Sequence, residues 1–262
     1  MNVVGRVESL WRYPVKSMRG ETMPEAYVSF SGILGDRLYA VHNSAASTAF
    51  PYLTARTRPE MLRYRPFFRE AARSVLPSNL AEAEARGPGL TPLYPDFGDL
   101  AVDVATPSGE ILGVDDIRLL AALADTSSPG ALTMRRSDRA ITDCRPISLL
   151  SMQTIGKISE AVGSSLDQRR FRENIYLDLS QAGGFAEDEF VGSRLQIGGK
   201  AVVAVLERDI RCKMIGFDPD TLQENSDILR YVAKNHDGKA GVYAAVLVEG
   251  AVRVGDEIRL LR

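Results

Sequence analysis

The chain has 262 residues, of which 45% are hydrophobic, and its 32 Lys and Arg against 34 Asp and Glu give a formal net charge of −2. These globular values argue against disorder, a collagen-like fibre or a polybasic tail. The near-neutral charge argues against binding nucleic acid through a bulk positive field. Two cysteines, Cys144 and Cys212, cannot build a disulfide framework. Because the start lacks a secretory signal and no apolar run approaches about 18 residues, we expect a cytoplasmic protein with no membrane partner.

Strand patterns dominate both ends of the chain. Alternation from Ala26 to Phe30 predicts a half-buried strand, and alternation over 100–104 followed by a Pro-Ser-Gly turn predicts a hairpin. Near the C-terminus, apolar alternation over 242–248 predicts a further strand. The apolar positions between 252 and 260 predict a closing pair of strands.

Helical patterns are fewer and lie mainly in the middle of the chain. Asp115 or Asp116 can cap a helix that carries Ile117, Leu120 and Leu123 on one side. Ser151 can cap a second helix that stops at Gly163.

Two further segments complete this pass along the chain. A third helix is predicted from about Asp227 to Asn235, with Gly238 after it. The Ala-, Glu- and Pro-rich segment 69–96 predicts an irregular excursion with at most one short helix.

Several common catalytic motifs are absent from the sequence. It contains no Gly-x-Gly-x-x-Gly, no P-loop, no Gly-x-Ser-x-Gly and no His-Glu-x-x-His. Its two histidines, His42 and His236, cannot assemble a multi-histidine metal site. Hydride transfer, P-loop and serine-hydrolase functions therefore lack their usual marks.

Cys212 is the most informative single residue. It lies between Arg211 and Lys213, and positive neighbours favour the thiolate, which is both the nucleophile and the soft-metal ligand. The alternative is a cysteine at the end of a strand over 201–206, flanked by solvated charges. Cys144 follows Asp143, and a structural role is favoured there.

Other polar segments suit an anion. Lys16 and Ser17 offer an ammonium and a hydroxyl at a strand end, although an ordinary solvated lysine fits as well. Arginines recur at Arg37, Arg56 and 169–172, and a guanidinium binds phosphate or carboxylate in bidentate fashion. In an extended segment Arg172 and Asn174 would face one side. The alternative is a salt-bridged loop that enters the strand over 175–179.

These segments together resemble one family. The order Tyr-Pro-Val-Lys-Ser-Met-Arg-Gly (13–20), Gly-Asp-Arg (35–37), Thr-Ala-Arg (54–56), Arg-Phe-Arg-Glu-Asn-Ile (170–175) and Arg-Cys (211–212) is similar to that of the MOSC-domain proteins. Within them it resembles the branch with an N-terminal MOSC β-barrel domain, which includes the mitochondrial amidoxime-reducing component. The resemblance implies a mainly β fold with a few helices. We expect a β-barrel-like domain over 1–118 and a MOSC barrel domain over 119–262.

The resemblance also implies a cofactor and its ligands. Members of this family bind the molybdenum cofactor, a pterin dithiolene with a phosphate, and Cys212 matches the cysteine that ligates the metal and serves in catalysis. The residues that match cofactor-binding positions are Lys16, Ser17, Arg37, Arg172, Asn174 and Arg211, together with Ser151, Met152 and Tyr243 as backbone or edge contacts.

The function implied is an oxidoreductase that cleaves the N–O bond of small N-hydroxylated compounds. No cysteine cluster for an iron–sulfur domain follows, so electrons are expected from a separate flavin, cytochrome or iron–sulfur protein. The alternative is a sulfur carrier with a persulfide on Cys212, or a carrier of the cofactor itself. Relatives carry two hydroxyl residues where this chain has Ile215 and Gly216, which predicts a more apolar pocket.

Overall fold

The computed structural model describes residues 2–86, 90–124, 130–180 and 182–261. These residues contain sixteen strands and four α-helices, so the expected mainly β fold with a few helices is confirmed. The strands are β1 (Asn2–Arg12), β2 (Glu21–Met23), β3 (Glu25–Ser29), β4 (Gly32–Ile33), β5 (Tyr39–Asn43), β6 (Arg65–Phe68), β7 (Val102–Ala105), β8 (Ile111–Gly113), β9 (Leu132–Arg136), β10 (Ile147–Ser151), β11 (Ile175–Leu179), β12 (Arg194–Ile197), β13 (Ala201–Ile210), β14 (Lys239–Val248), β15 (Gly250–Arg253) and β16 (Glu257–Leu261). The helices are α1 (Leu80–Arg86), α2 (Ile117–Leu123), α3 (Met152–Val162) and α4 (Ser226–His236).

The largest sheet of the described residues closes into a barrel of seven strands. Its strand order is β11-β10-β14-β13-β12-β16-β1, and β1 pairs with β11 to close it, with Gly5 opposite Leu179. Inward side chains such as Leu10, Leu149 and Val203 are fully buried in its core. Closure removes free strand edges, and it depends on the N-terminal strand.

Three smaller sheets lie outside the barrel. Their orders are β15-β3-β4, β5-β9 and β6-β7-β8. The first contributes residues such as Ala26 and Val252 to the barrel core. The other two contribute to a second core that includes Val15, Met61 and Leu119. The predicted hairpin is confirmed as β7 and β8. The two predicted closing strands are confirmed as β15 and β16, of which β15 pairs with β3 and β16 pairs with β1 and β12.

The helix predictions agree largely with the structure. Ser151 caps α3 through its hydroxyl, and Gly163 ends it in the left-handed conformation. Asp116 caps α2, but Ile117 is 78% exposed, so the predicted apolar side of that helix is partly wrong. No described helix is both long and apolar enough to cross a membrane.

The proposed boundary between 118 and 119 stays a prediction. Strand pairs join the chain before and after it: β1 with β11, β3 with β15, and β5 with β9. These pairs place the loops after β1 and β4 beside the loop before β11 and the end of β13.

Candidate functional site

A cleft lies where those loops meet. It encloses about 740 Å³, part of it open to solvent. The sequence-predicted residues that line it are Lys16, Ser17, Arg37, Arg172, Asn174, Arg211, Cys212 and Tyr243. Other lining residues include Thr54, Arg56, Asp143, Arg145, Glu173, Asp209, Met214 and Ile215.

Three of the lining residues have left-handed backbones. The φ angles of Ser17, Arg37 and Arg172 are 68°, 46° and 60°. Such angles are uncommon outside glycine and cost about 1–3 kcal/mol each, and they concentrate at functional sites. The predicted extended segment at Arg172 is therefore wrong, although both Arg172 and Asn174 reach the cleft.

The ring of Tyr13 supports two guanidinium groups. The guanidinium carbons of Arg37 and Arg172 lie 4.8 and 4.3 Å from its centroid. Arg37 pairs with Asp36 and donates to the carbonyl of Arg172 at 3.0 Å. In the described residues the Arg172 guanidinium has no carboxylate partner and no hydrogen-bond acceptor. Burial lowers the pKa of Arg172 to about 10, so it stays charged at neutral pH.

Lys16 lies at the same end of the cleft. It is 5% exposed, and its Nζ donates to the carbonyl of Ile141 at 2.9 Å and to the Asp143 carboxylate. Burial lowers the pKa of Lys16, while the adjacent Asp143 opposes that shift. One of the three ammonium protons remains for another acceptor.

Arg211 is enclosed by protein acceptors. Its Nε and Nη1 donate to the carbonyls of Ala240 and Phe171 at 2.7 and 2.9 Å. Its Nη2 faces the carboxylates of Glu173 and Asp209, and all three side chains are at most 6% exposed. Arg211 therefore joins three segments of the cleft wall, and its guanidinium is used by the protein.

A second buried polar contact lies beside Arg211. The hydroxyl of Tyr243 hydrogen-bonds to the carboxyl of Asp209. Burial raises the pKa of Asp209, and burial with the adjacent Asp209 charge raises the pKa of Tyr243. Tyr243 therefore stays protonated and donates to Asp209, whose carboxylate also has the Arg211 guanidinium beside it.

Cys212 follows β13, is partly exposed and precedes a 3-10 turn over 213–216. Its neighbouring cations point to other groups: Arg211 to its carboxylates, and Lys213 to Glu224 at 3.5 Å. Cys144 is exposed, with its Sγ 3.4 Å from Glu207, and burial and that carboxylate raise the pKa of its thiol. Of the two thiols, only that of Cys212 lines the cleft.

Two sequence-predicted residues do not reach the cleft. Ser151 is fully buried, and its hydroxyl accepts from the Thr154 amide and donates to Glu187. Met152 begins α3 beside it. Both belong to the helix start because Ser151 serves as the cap.

Three contributors to the cleft could not be recognised from the sequence. Tyr13, Glu173 and Asp209 lie inside or beside the quoted motifs, but they carry no mark of their own. Their role depends on which arginine each one meets. Only the tertiary contacts show that Tyr13 lies under Arg172, whereas Glu173 and Asp209 surround Arg211.

The fold and the cleft define a β-barrel protein in which one thiol and one half-buried cation, without a carboxylate partner among the described residues, share a cleft. Two family models match the chain: the MOSC N-terminal beta barrel domain over residues 4–88 and the MOSC domain over residues 136–259. The chain belongs to the MOSC-domain proteins with an N-terminal MOSC β-barrel domain, which confirms the resemblance.

Individual relatives are more distant. The chain is 25% identical over 290 residues to mitochondrial amidoxime reducing component 2 of Bos taurus, a match that covers 97% of this chain and 83% of that protein. It is similar to the solved structure of the YuaD protein from Bacillus subtilis (TM-score 0.45, 16% identity, 98% of this chain and 95% of that one). It is also similar to YiiM from Geobacillus stearothermophilus (TM-score 0.36, 24% identity, 45% and 55%). The family is associated with the molybdenum cofactor, which gives the general class of function.

Proposed function

We propose that this protein holds the molybdenum cofactor in the cleft and reduces small N-hydroxylated compounds with electrons from a separate protein. The observation that carries the proposal is that the Cys212 thiol and the half-buried guanidinium of Arg172, which has no carboxylate partner in the described residues, line one cleft. Membership of the MOSC family and the amidoxime-reducing relative support it.

The residues of the cleft fit a metal that arrives with ligands of its own. Among the described residues, no group of three or more His, Cys, Asp or Glu could hold a metal ion. A single thiolate from Cys212 suits a metal that already carries sulfur ligands, because thiolates are soft ligands and bind metals that accept other soft ligands. A protein site built for a bare ion would need more ligands than the cleft offers.

The cations of the cleft fit a phosphate-bearing group. A half-buried guanidinium without a protein acceptor is partly desolvated, and an anion in the cleft would offset that cost. Arg172 would bind the phosphate, with Lys16 and the hydroxyl of Ser17 as further donors. Arg37, fixed by Asp36, would keep Arg172 in place through its carbonyl.

When bound, the cofactor would supply the two-electron redox chemistry. Reduction of an N–OH group consumes two electrons and two protons and gives the amine or amidine and water. Met214 and the buried Ile215 would provide an apolar wall beside Cys212, which limits water at the reacting bond. The protein's task is to orient the substrate on this wall.

The test compares two cysteine variants of protein from a host that makes the cofactor. Cys212→Ala should abolish benzamidoxime reduction with reduced methyl viologen and should lower molybdenum content. Cys144→Ala, the matched control outside the cleft, should keep both properties. Equal turnover in wild type and Cys212→Ala would contradict the assignment. A persulfide on Cys212 in protein without molybdenum would favour the sulfur carrier instead.

A further inference from the structure

The cleft carries more positive charge than its own carboxylates balance. Its cationic lining residues are Lys16, Arg37, Arg56, Arg145, Arg170, Arg172 and Arg211. Five of them have carboxylate partners, which are Asp143 for Lys16, Asp36 for Arg37, Glu207 for Arg145, Asp218 for Arg170, and Glu173 with Asp209 for Arg211. In the described parts of the chain, Arg56 and Arg172 form no such ion pair, although Arg56 is near enough to Asp143 to help lower the pKa of that carboxyl, which already pairs with Lys16.

These two arginines occupy different depths. Arg172 is half-buried and lies against the ring of Tyr13. Arg56 is exposed, and its guanidinium carbon lies 4.5 Å from the centroid of Phe50, whose ring also lies 5.4 Å from the ammonium of Lys16. The cleft therefore offers one unpaired cation inside and one at its rim.

The backbone of Arg56 is anchored. Leu53, Thr54 and Ala55 before it are buried at 7%, 5% and 0% exposure. The amides of Thr57 and Arg58 after it both donate to the carbonyl of Thr54, at 3.0 and 2.9 Å. Because this turn and the Phe50 ring already restrict the side chain, a ligand would lose less entropy in ordering it.

We propose that Arg56, held on Phe50, binds a negatively charged group of the substrate. The enzyme would then favour N-hydroxylated compounds with an apolar body and a carboxylate at the end remote from the N–O bond. The apolar body would contact Met214 and Ile215, next to Cys212, while the carboxylate would meet Arg56 at the rim. This inference rests on the proposed function and adds the charge of the substrate to it.

Two other assignments for Arg56 are less consistent with its position. A cofactor phosphate would be drawn to the half-buried Arg172, where an unpaired cation costs more than at the exposed Arg56. An acidic surface of an electron donor would meet a convex patch, whereas Arg56 lines a concave cleft. The experiment separates all three.

The kinetic test uses 4-carboxybenzamidoxime and benzamidoxime with reduced methyl viologen as donor. Arg56→Gln should raise KM for the carboxylated compound about tenfold, which corresponds to a loss of about 1.4 kcal/mol of binding free energy from the bond to the charged group. Its kcat and its KM for benzamidoxime should stay unchanged, and so should its pterin content measured by fluorescence. The matched control is Arg145→Gln, which removes a cleft cation already paired with Glu207 and should keep the wild-type preference.

Three results would overturn the inference. Loss of pterin in Arg56→Gln would assign Arg56 to the cofactor. An equal KM change for both compounds would show no recognition of charge. An effect that appears only with a protein electron donor would assign Arg56 to that donor's surface.

A binding measurement separates this inference from the proposed function. Calorimetric titration with 4-amidinobenzoate and benzamidine, the two reaction products, needs no turnover. One outcome is that wild type prefers the carboxylated product, that Arg56→Gln loses this preference, and that no reduction is observed. In that case Arg56 recognises the carboxylate, and only the reductase function is wrong. If reduction occurs and wild type shows no such preference, the inference alone fails.

Discussion

Replacing Arg211 by methionine tests the buried charge network of the cleft wall. The side chains of Arg211, Glu173 and Asp209 are 6%, 1% and 4% exposed, so the substitution would leave two carboxylates buried without their cation. Breaking a buried ion pair on one side costs about 3–5 kcal/mol. The loss of the bonds to the carbonyls of Ala240 and Phe171 adds to this cost. We therefore expect Arg211→Met to lose at least about 3 kcal/mol of the free energy of unfolding.

Urea denaturation measures this loss. Trp11, the single tryptophan of the chain, is 7% exposed in the structure and serves as the fluorescence reporter. Arg145→Gln, which breaks an ion pair whose side chains are 46% and 44% exposed, should cost less than about 1 kcal/mol.

A compensating variant checks the cause of the loss. Adding Glu173→Gln and Asp209→Asn to Arg211→Met should recover part of the stability, because no carboxylate then remains unpaired. A loss below about 1 kcal/mol for Arg211→Met alone would refute the reasoning, since it would mean that solvent or protons already neutralise the carboxylates.

Three further changes address stability elsewhere. Burial raises the pKa of Glu187 in the folded protein above the ordinary value of 4.5. The folded protein is therefore most stable with respect to this group below pH 4.5, and it loses that stability as the pH rises through the raised pKa. In urea titrations the free energy of unfolding of Glu187→Gln should therefore be about 1 kcal/mol above that of wild type at pH 7 and equal to it at pH 4. The same difference at both pH values would contradict this. The pKa of Asp220 is lowered to about 2, mainly by hydrogen bonds from Arg169. The ionised Asp220 therefore contributes to the free energy of unfolding above about pH 4, and this contribution is lost as the pH falls to 2. Asp220→Asn should lower the free energy of unfolding by at most about 1 kcal/mol at pH 7, because the carboxylate is half exposed, and should not lower it at pH 2. Acid titration followed by tryptophan fluorescence measures both values. Gly241→Ala should destabilise more than Gly163→Ala, since both have positive φ but only at Gly241 would a Cβ meet a backbone oxygen, at 2.8 Å; equal melting temperatures would rule this out.

Elements with local determinants were predictable from the sequence. Ser151 and Gly163 mark both ends of α3, and the turn over 107–109 marks the β7–β8 hairpin, because caps and turns act within a few residues. Pairings between distant residues were not. The pairing of β1 with β11, which closes the barrel, joins residues about 170 positions apart. The hydrophobic patterns of both strands are compatible with several partners.

The candidate site divides in the same way. Motif order alone identified the family and nominated Cys212 and the arginines, since residue type sets which chemistry a side chain can perform. The sequence does not distinguish Arg172 from Arg211, since both are arginines within the family motifs. In the structure, however, Arg211 lies beside two carboxylates, whereas Arg172 pairs with none in the described residues. The left-handed backbones at Ser17, Arg37 and Arg172 were also invisible in the sequence. The sequence by itself determined which charges and which thiol the protein carries. Only the tertiary structure decided which charges are neutralised and which remain for a ligand, because neutralisation depends on contacts between distant segments.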